Sequence, residues 1–256
     1  AVNVCWDEAW ALYALGLAAY NLGDYGPAQE FTVQSLGLHR QLGNRHGEAA
    51  CLNTLGLIIC GLYEGQADKY DEACILFEQN LAIRRAIGDR WGEATALHNL
   101  GYIHFKLGQY DHARNNFDAS LEISKLVGSL TMLAATGMWR GVLAMEQRDY
   151  AAARKALGES LRIAHENGAT TRVTDVMFRM GDLLWRQGQA ERAVELLAFV
   201  LHHPATDDRV REGAELMLAE ARSHLAPHLF ETAQTRGSQF DHNRLVSELL
   251  RGMLAK

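Results

Sequence analysis

Histidine is the residue type in this chain with the widest chemical reach, and there are 11 of them. Two imidazoles bind a metal from one helix when they share a face, as at i, i+4. His98 and His104 stand six apart and therefore point to different faces. His202 and His203 are neighbours near a predicted helix end, where a basic side chain meets the C-terminal dipole. The four cysteines, Cys5, Cys51, Cys60 and Cys74, form no C-x-x-C pair and lack zinc spacing. They sit among apolar residues and read as small core fillers in a reducing compartment. No G-x-S-x-G elbow, phosphate loop or dinucleotide fingerprint is present. Acidic residues are scattered over polar faces, whereas catalysis needs polar groups converging in a closed pocket. The expectation is no metal, no cofactor, no catalytic residue and no enzyme.

Composition sets further bounds. A net charge of −6 argues against a basic nucleic-acid surface, so direct nucleic-acid binding is not expected. A hydrophobic content of 48% is enough for a core and argues against disorder. No run approaches 18 apolar residues, so no membrane helix is expected. No signal peptide is evident, and a cytoplasmic protein is expected. The chain opens at the equivalent of an inter-repeat loop, which reads as a segment of a larger protein.

The elements that must position any functional residue announce themselves by repetition. Gly16, Gly56, Gly101, Gly141 and Gly181 recur at intervals of 40, 45, 40 and 40 residues. Ala28, Ala113, Ala153 and Ala193 each follow their glycine by 12 residues, and Ala73 follows Gly56 by 17. Leu36, Leu81, Leu121, Leu161 and Leu201 each lie 8 beyond the alanine. Self-similarity at this period signals a stack of identical supersecondary units.

One unit read in detail gives the grammar. Ala94, Leu97, Leu100, Gly101 and His104 fall on one face at the helical period. Gly108 ends that helix, and Ala113, Phe117, Leu121 and Ile123 form the apolar face of a second, antiparallel one. In the first unit the two helices are expected at about 7–22 and 26–42, with Pro27 in the first turn of the latter. A glycine inside the first helix costs about 1 kcal/mol against alanine, so its recurrence predicts a notch into which the partner helix presses its alanine. Gly137 and Arg140 replace leucines in the fourth unit, which predicts a looser first helix there. Five extra residues within Leu62–Lys69 predict a longer turn in the second.

Leu52-x2-Leu55-Gly56 with Ala73-x3-Phe77, and Leu97-x2-Leu100-Gly101 with Ala113-x3-Phe117, resemble the tetratricopeptide repeat. The elements His46-Gly47-Glu48-Ala49 and Trp91-Gly92-Glu93-Ala94, echoed by Trp6-Asp7-Glu8-Ala9, are similar to a 40-residue subclass found in signalling scaffolds. The resemblance covers about residues 6–203. It implies an all-α, right-handed α-α superhelix of five helix-turn-helix repeats, at about 7–44, 47–88, 91–128, 131–168 and 171–204. Residues 205–256 lack the mark. Val210, Ala214, Met217, Leu218 and Ala221 form a stripe, Pro227 and Gly237 interrupt, and Val246, Leu249, Leu250 and Met253 form a last apolar face. This segment is expected to be a helical cap over the open core. Phe230–Leu250 is similar to the C-terminal ends of STAND-type multidomain signalling ATPases, in which a repeat array follows an effector and an NTPase.

In the family the first helix of each pair, helix A, lines the concave surface. Carried onto this sequence, that placement implies a ligand groove of Trp10, Tyr13, Tyr20, Asn53, His98, Tyr102, Phe105, Lys106, Met138, Met145, Phe178, Asp182, Trp185 and Arg186. Aromatic anchors dominate interface energetics and methionine adapts to varied apolar partners. The opposing reading, that tight winding buries the positions after each glycine, stays open for Leu17, Leu57 and Val142. Asn21, Asn53, Lys106 and Arg186 do not reproduce the Lys/Asn arrangement by which some family members grip a peptide carboxylate. Three functions remain: a sensor of a protein, peptide or small effector within a regulator that carries upstream NTPase or effector domains; a constitutive scaffold for a partner helix or peptide; and an enzyme subunit.

Overall fold

The computed structural model describes residues 2–63 and 65–254. Among them every regular element is a helix, thirteen in all. The chain divides into two compact units, Ala1–Val127 and Gly128–Lys256.

The first unit holds α1 (Val2–Asn21), α2 (Tyr25–Gln41), α3 (Arg45–Leu62), α4 (Ala67–Ala86), α5 (Arg90–Lys106) and α6 (Tyr110–Leu126). They pack as successive pairs, α1 on α2, α3 on α4 and α5 on α6, and each pair stacks on the next. Helix α1 starts five residues ahead of the expected boundary, and Pro27 stands in the first turn of α2. Positive-φ glycines close the A helices and the B helices alike; Gly108 (φ 71°) and Gly88 (φ 72°) are examples. The five extra residues mostly lengthen helices rather than the turn. Helix α3 has 18 residues and α4 has 20, against 17 each for α5 and α6. The turn between them includes Glu64, which lies outside the described residues.

The glycine notch exists, but its occupant is not the alanine. A Cβ on Gly101 would lie 2.5 Å from the Phe117 ring, and one on Gly56 would lie 2.7 Å from Phe77. The side chain one turn beyond the alanine fills the notch, while Ala28, Ala73 and Ala113 are fully buried beside it. Alanine is needed for close backbone approach, and the larger neighbour supplies the contact area. A further tie recurs. The Ser35 hydroxyl donates to the Ala9 carbonyl at 2.7 Å, and Ser120 donates to Ala94 at 2.8 Å, each linking the B helix to its own A helix.

The second unit holds α7 (Leu130–Glu146), α8 (Tyr150–Glu166), α9 (Thr170–Arg186), α10 (Ala190–His202), α11 (Asp208–His224), α12 (Pro227–Ser238) and α13 (His242–Leu254). The same grammar holds. Leu157 fills the Gly141 notch and Leu197 the Gly181 notch. Ser160 donates to Ala134 O at 2.6 Å. Arg148 takes the positive φ (58°) that glycine takes in the other A-to-B turns. Helix α7 is regular over 17 residues in spite of Gly137 and Arg140. Val210, Ala214, Leu218 and Ala221 bury the predicted stripe of α11. Gly237 does not break the chain; it lies buried inside α12, where a Cβ would strike the Glu195 backbone of α10. Helix α12 packs on α10, and α13 turns back onto α8. The Met253 side chain lies outside the described residues.

Candidate functional site

In the first unit the predicted groove positions sit partly exposed along α1, α3 and α5. Trp10 and Tyr13 meet edge to face, with centroids 5.7 Å apart. Trp10 also stands on the fully buried His39 ring at 4.7 Å and lies 6.3 Å from His46. His39 Nδ1 accepts from Asn44 Nδ2 at 2.9 Å, because Asn44 Oδ1 already accepts from the Gly47 N–H. Burial, followed by the charge of His46, lowers the His39 pKa, so the platform beneath Trp10 is neutral imidazole. Tyr20 leans on Tyr25 at 5.9 Å, and both tyrosines pack on the core of the first two pairs.

Asn53 is the hub of the middle of this face. Its Oδ1 accepts from Asn99 Nδ2 of α5 at 2.8 Å and from Asn80 Nδ2 of α4 at 3.4 Å. Asn80 in turn accepts from Arg84, whose guanidinium reaches Asp89 at 2.6 Å and His46 Nδ1 at 3.1 Å. A polar chain thus runs beneath the face and locks three helices together. On α5, His98 packs near Phe117 at 6.1 Å and Phe105 near Tyr110 at 6.0 Å. Tyr102 lies against the core cluster that includes Leu97, Leu100 and Ile103. Lys106 is half-buried in the last turn of α5.

The linkers hold this face rigid. Asn44 and Asp89 cap α3 and α5 through the Gly47 and Gly92 N–H groups, at 3.1 and 2.8 Å. The buried Glu48 takes Arg40 at 3.0 Å and also Arg45; the buried Glu93 takes Arg85 at 2.9 Å and Arg90 at 2.5 Å. A Cβ on Gly47 would strike the His39 ring, and one on Gly92 would strike the Arg84 side chain. The Gly-x-Arg-x-Gly-Glu element is therefore a clamp between successive pairs.

The second unit treats the same positions differently. Met138 and Met145 are each only 1% exposed, and Ala135 and Val142 are buried with them, so the predicted methionine contacts belong to the core. Helix α7 packs on both α8 and α9. Phe178 is also buried, because Gly213 brings α11 within contact distance of its ring. Arg179 lies over the Trp139 and Phe178 rings at 5.2 and 4.9 Å. Asp182 and Glu146 both bind Arg186, at 2.8 and 2.9 Å, and Trp185 meets His224 of α11 edge to face. Asp175, also on α9, is paired with Arg172 at 2.7 Å; burial raises its pKa in spite of its arginine neighbours.

Burial pushes the Cys51 and Cys74 thiols up to about 11, which keeps them protonated and poorly nucleophilic near neutrality. Among the described residues no three metal-ligating side chains converge, and no helix is long and apolar enough to cross a membrane. Sequence reasoning missed His39, Asn80, Arg84 and Asn99. Each is a polar residue on an otherwise apolar face, and that was the available signal.

Profiles of the tetratricopeptide repeat match residues 59–125 and 175–198. Among solved structures, the apo form of RapI aligns over 97% of this chain and 82% of its own, with TM-score 0.61 and 13% identity. A protein of nearly identical TPR-like repeats from Podosopora anserina, assigned as a kinesin light chain, aligns over 83% of this chain and 95% of its own, with TM-score 0.55 and 16% identity. A signal transduction ATPase with numerous domains and a tetratricopeptide repeat sensor, from Pyrococcus horikoshii, aligns with TM-score 0.58 and 17% identity. It covers 98% of this chain, which spans only 39% of that protein. Comparison with curated proteins gives no match. The described residues form an all-α array of helix pairs that shares its fold with these structures and matches the tetratricopeptide repeat over residues 59–125 and 175–198.

Proposed function

We propose that this chain is a protein-binding module, and that the face of α1, α3 and α5 holds a helix or extended segment of a partner. The supporting observation is the set of Trp10, Tyr13, Tyr102 and Phe105, which remain partly exposed on helices locked by the Asn53 network and the glutamate clamps. Rigid aromatic side chains give contact area at low entropic cost, and a locked scaffold avoids ordering on binding. A partner helix would present apolar residues at i, i+3 or i+4 and i+7 to such a face.

A second reading makes the chain the sensor of a larger cytoplasmic regulator, with NTPase or effector domains upstream and α11–α13 as the cap. It draws on the fold likeness to the Pyrococcus horikoshii signalling ATPase, which carries a tetratricopeptide repeat sensor. Binding would then shift the population between two states and would need different affinities for them. An NTPase segment in the same reading frame favours this second reading. The binding face is common to both.

The test is selection of helical and extended peptides from a displayed library on the whole chain, followed by calorimetry. Tyr102→Ala and Phe105→Ala should each weaken the selected peptide by about 1 kcal/mol or more, with circular dichroism unchanged. Unchanged affinity in both variants contradicts the assignment.

A further inference from the structure

Three imidazoles meet where the last helix returns to the repeats. His165 ends α8, His203 follows α10, and His242 opens α13. The His203 and His242 centroids are 5.0 Å apart, and those of His165 and His242 are 5.9 Å apart; Phe199 flanks the pair at 5.2 and 6.1 Å. His242 Nδ1 lies 3.1 Å from His203 Nε2. Among the described residues no group of three or more His, Cys, Asp or Glu side chains, this one included, is arranged to hold a metal ion.

The hydrogen bonds allow one protonation state. His203 Nδ1 accepts from the Ala205 N–H at 3.2 Å, so its proton sits on Nε2. That Nε2–H donates to His242 Nδ1, whose own proton is then on Nε2. A second proton on either ring falls on a nitrogen that already faces an N–H donor and breaks that bond. His242 is also the first residue of α13, where the positive end of the helix dipole opposes an imidazolium.

We propose that the His203–His242 pair is a proton-sensitive latch that holds α13 against α8 and α10 while both rings are neutral, and lets go on acidification. The charges around it do not offset that repulsion. From α8 comes His165; Arg162 and Glu166 of that helix pair with each other at 2.7 Å. From α10, Glu195 is taken by Arg236 of α12 at 3.5 Å, and His202 bonds to the Ala198 carbonyl. From α13, Arg244 pairs with Glu248, and Asp241, which caps the helix, is the one neighbour that favours charge on His242.

Both rings are held below the ordinary histidine range, first by burial, then by each other's side of the cluster: His242 acting on His203, and His165 on His242. A folded pKa below the unfolded value of 6.5 means that the detached state binds more protons in between. Docking is therefore fully supported above about pH 6.5 and is lost as pH falls through the lowered values. Release would uncover Leu245 and Val246, which are buried in the docked helix.

The experiment is hydrogen exchange of the whole chain in EDTA at pH 7.5 and 5.5, corrected for intrinsic rates. Amides of α13 should lose protection several-fold at the lower pH, while α5 and α9 keep theirs. His242→Gln and His203→Gln should each flatten the pH dependence of α13, whether they leave it docked or undocked. His202→Gln, outside the pair, should leave it intact. Equal α13 protection at both pH values, or an unchanged pH dependence in both pair variants, overturns the latch.

Discussion

Residues 1–127 and 128–256 use one repeat grammar and spend it differently. In the first unit the stiffness lies in the linkers. Asn44 and Asp89 cap the next helix, and Glu48 and Glu93 each gather two arginines. The A helices can then leave Trp10, Tyr13, Tyr102 and Phe105 partly in solvent. In the second unit the linker residues Ser129 and Ala169 make no side-chain cap. Cohesion there comes from filling the A-helix positions with Met138, Val142, Met145 and Phe178 and covering α9 with α11. A repeat array can hold its curvature through its joints or through its inner face, and only the first option leaves that face for a partner.

The comparison breaks most visibly at the notches. Phe117→Ala should cost about 3–5 kcal/mol and Leu157→Ala about 2–5 kcal/mol in denaturant unfolding. Exchange protection should fall first in α1–α6 for the former and in α7–α13 for the latter. A loss spread evenly over all helices in both variants would mean that the division is not energetic.

The clamps come next. Glu93→Ala removes a buried acceptor of two arginine contacts and should cost about 1–3 kcal/mol. Glu166→Ala removes an exposed partner of Arg162 in the second unit and should change stability by about 0.5 kcal/mol or less. Equal effects in a thermal melt would deny the linker its special role. Smallest is Arg148→Gly, which relieves a positive φ in the turn and should raise stability by up to about 1 kcal/mol. A loss of stability would show that the Arg148 side chain is needed where it stands.

Most of the fold was legible because its spacing is carried by small residues, which have no alternative reason to recur. Gly101 and Ala113 mark a close helix crossing whatever surrounds them. The filler of the notch was less legible, since Thr32, Phe77, Phe117, Leu157 and Leu197 vary in size while serving one position. Ser35, Ser120 and Ser160 could have been found by asking which polar residues recur in phase; each bonds to a carbonyl 26 residues earlier. The groove was read by giving every repeat the same exposure. That failed at Met138 and Met145, which are buried, and at Phe178, because helix α11, which covers it, comes from sequence outside the repeats. Long-range cover leaves no mark in a local pattern.

The most direct measurement is the footprint of a library-selected peptide on the whole chain by hydrogen exchange. Added protection confined to α1, α3 and α5, and lost in the Tyr102→Ala variant, is the expected result. Protection centred on α7 and α9, with Tyr102→Ala indistinguishable from the parent chain, would contradict the division between a stiff open face and a filled one.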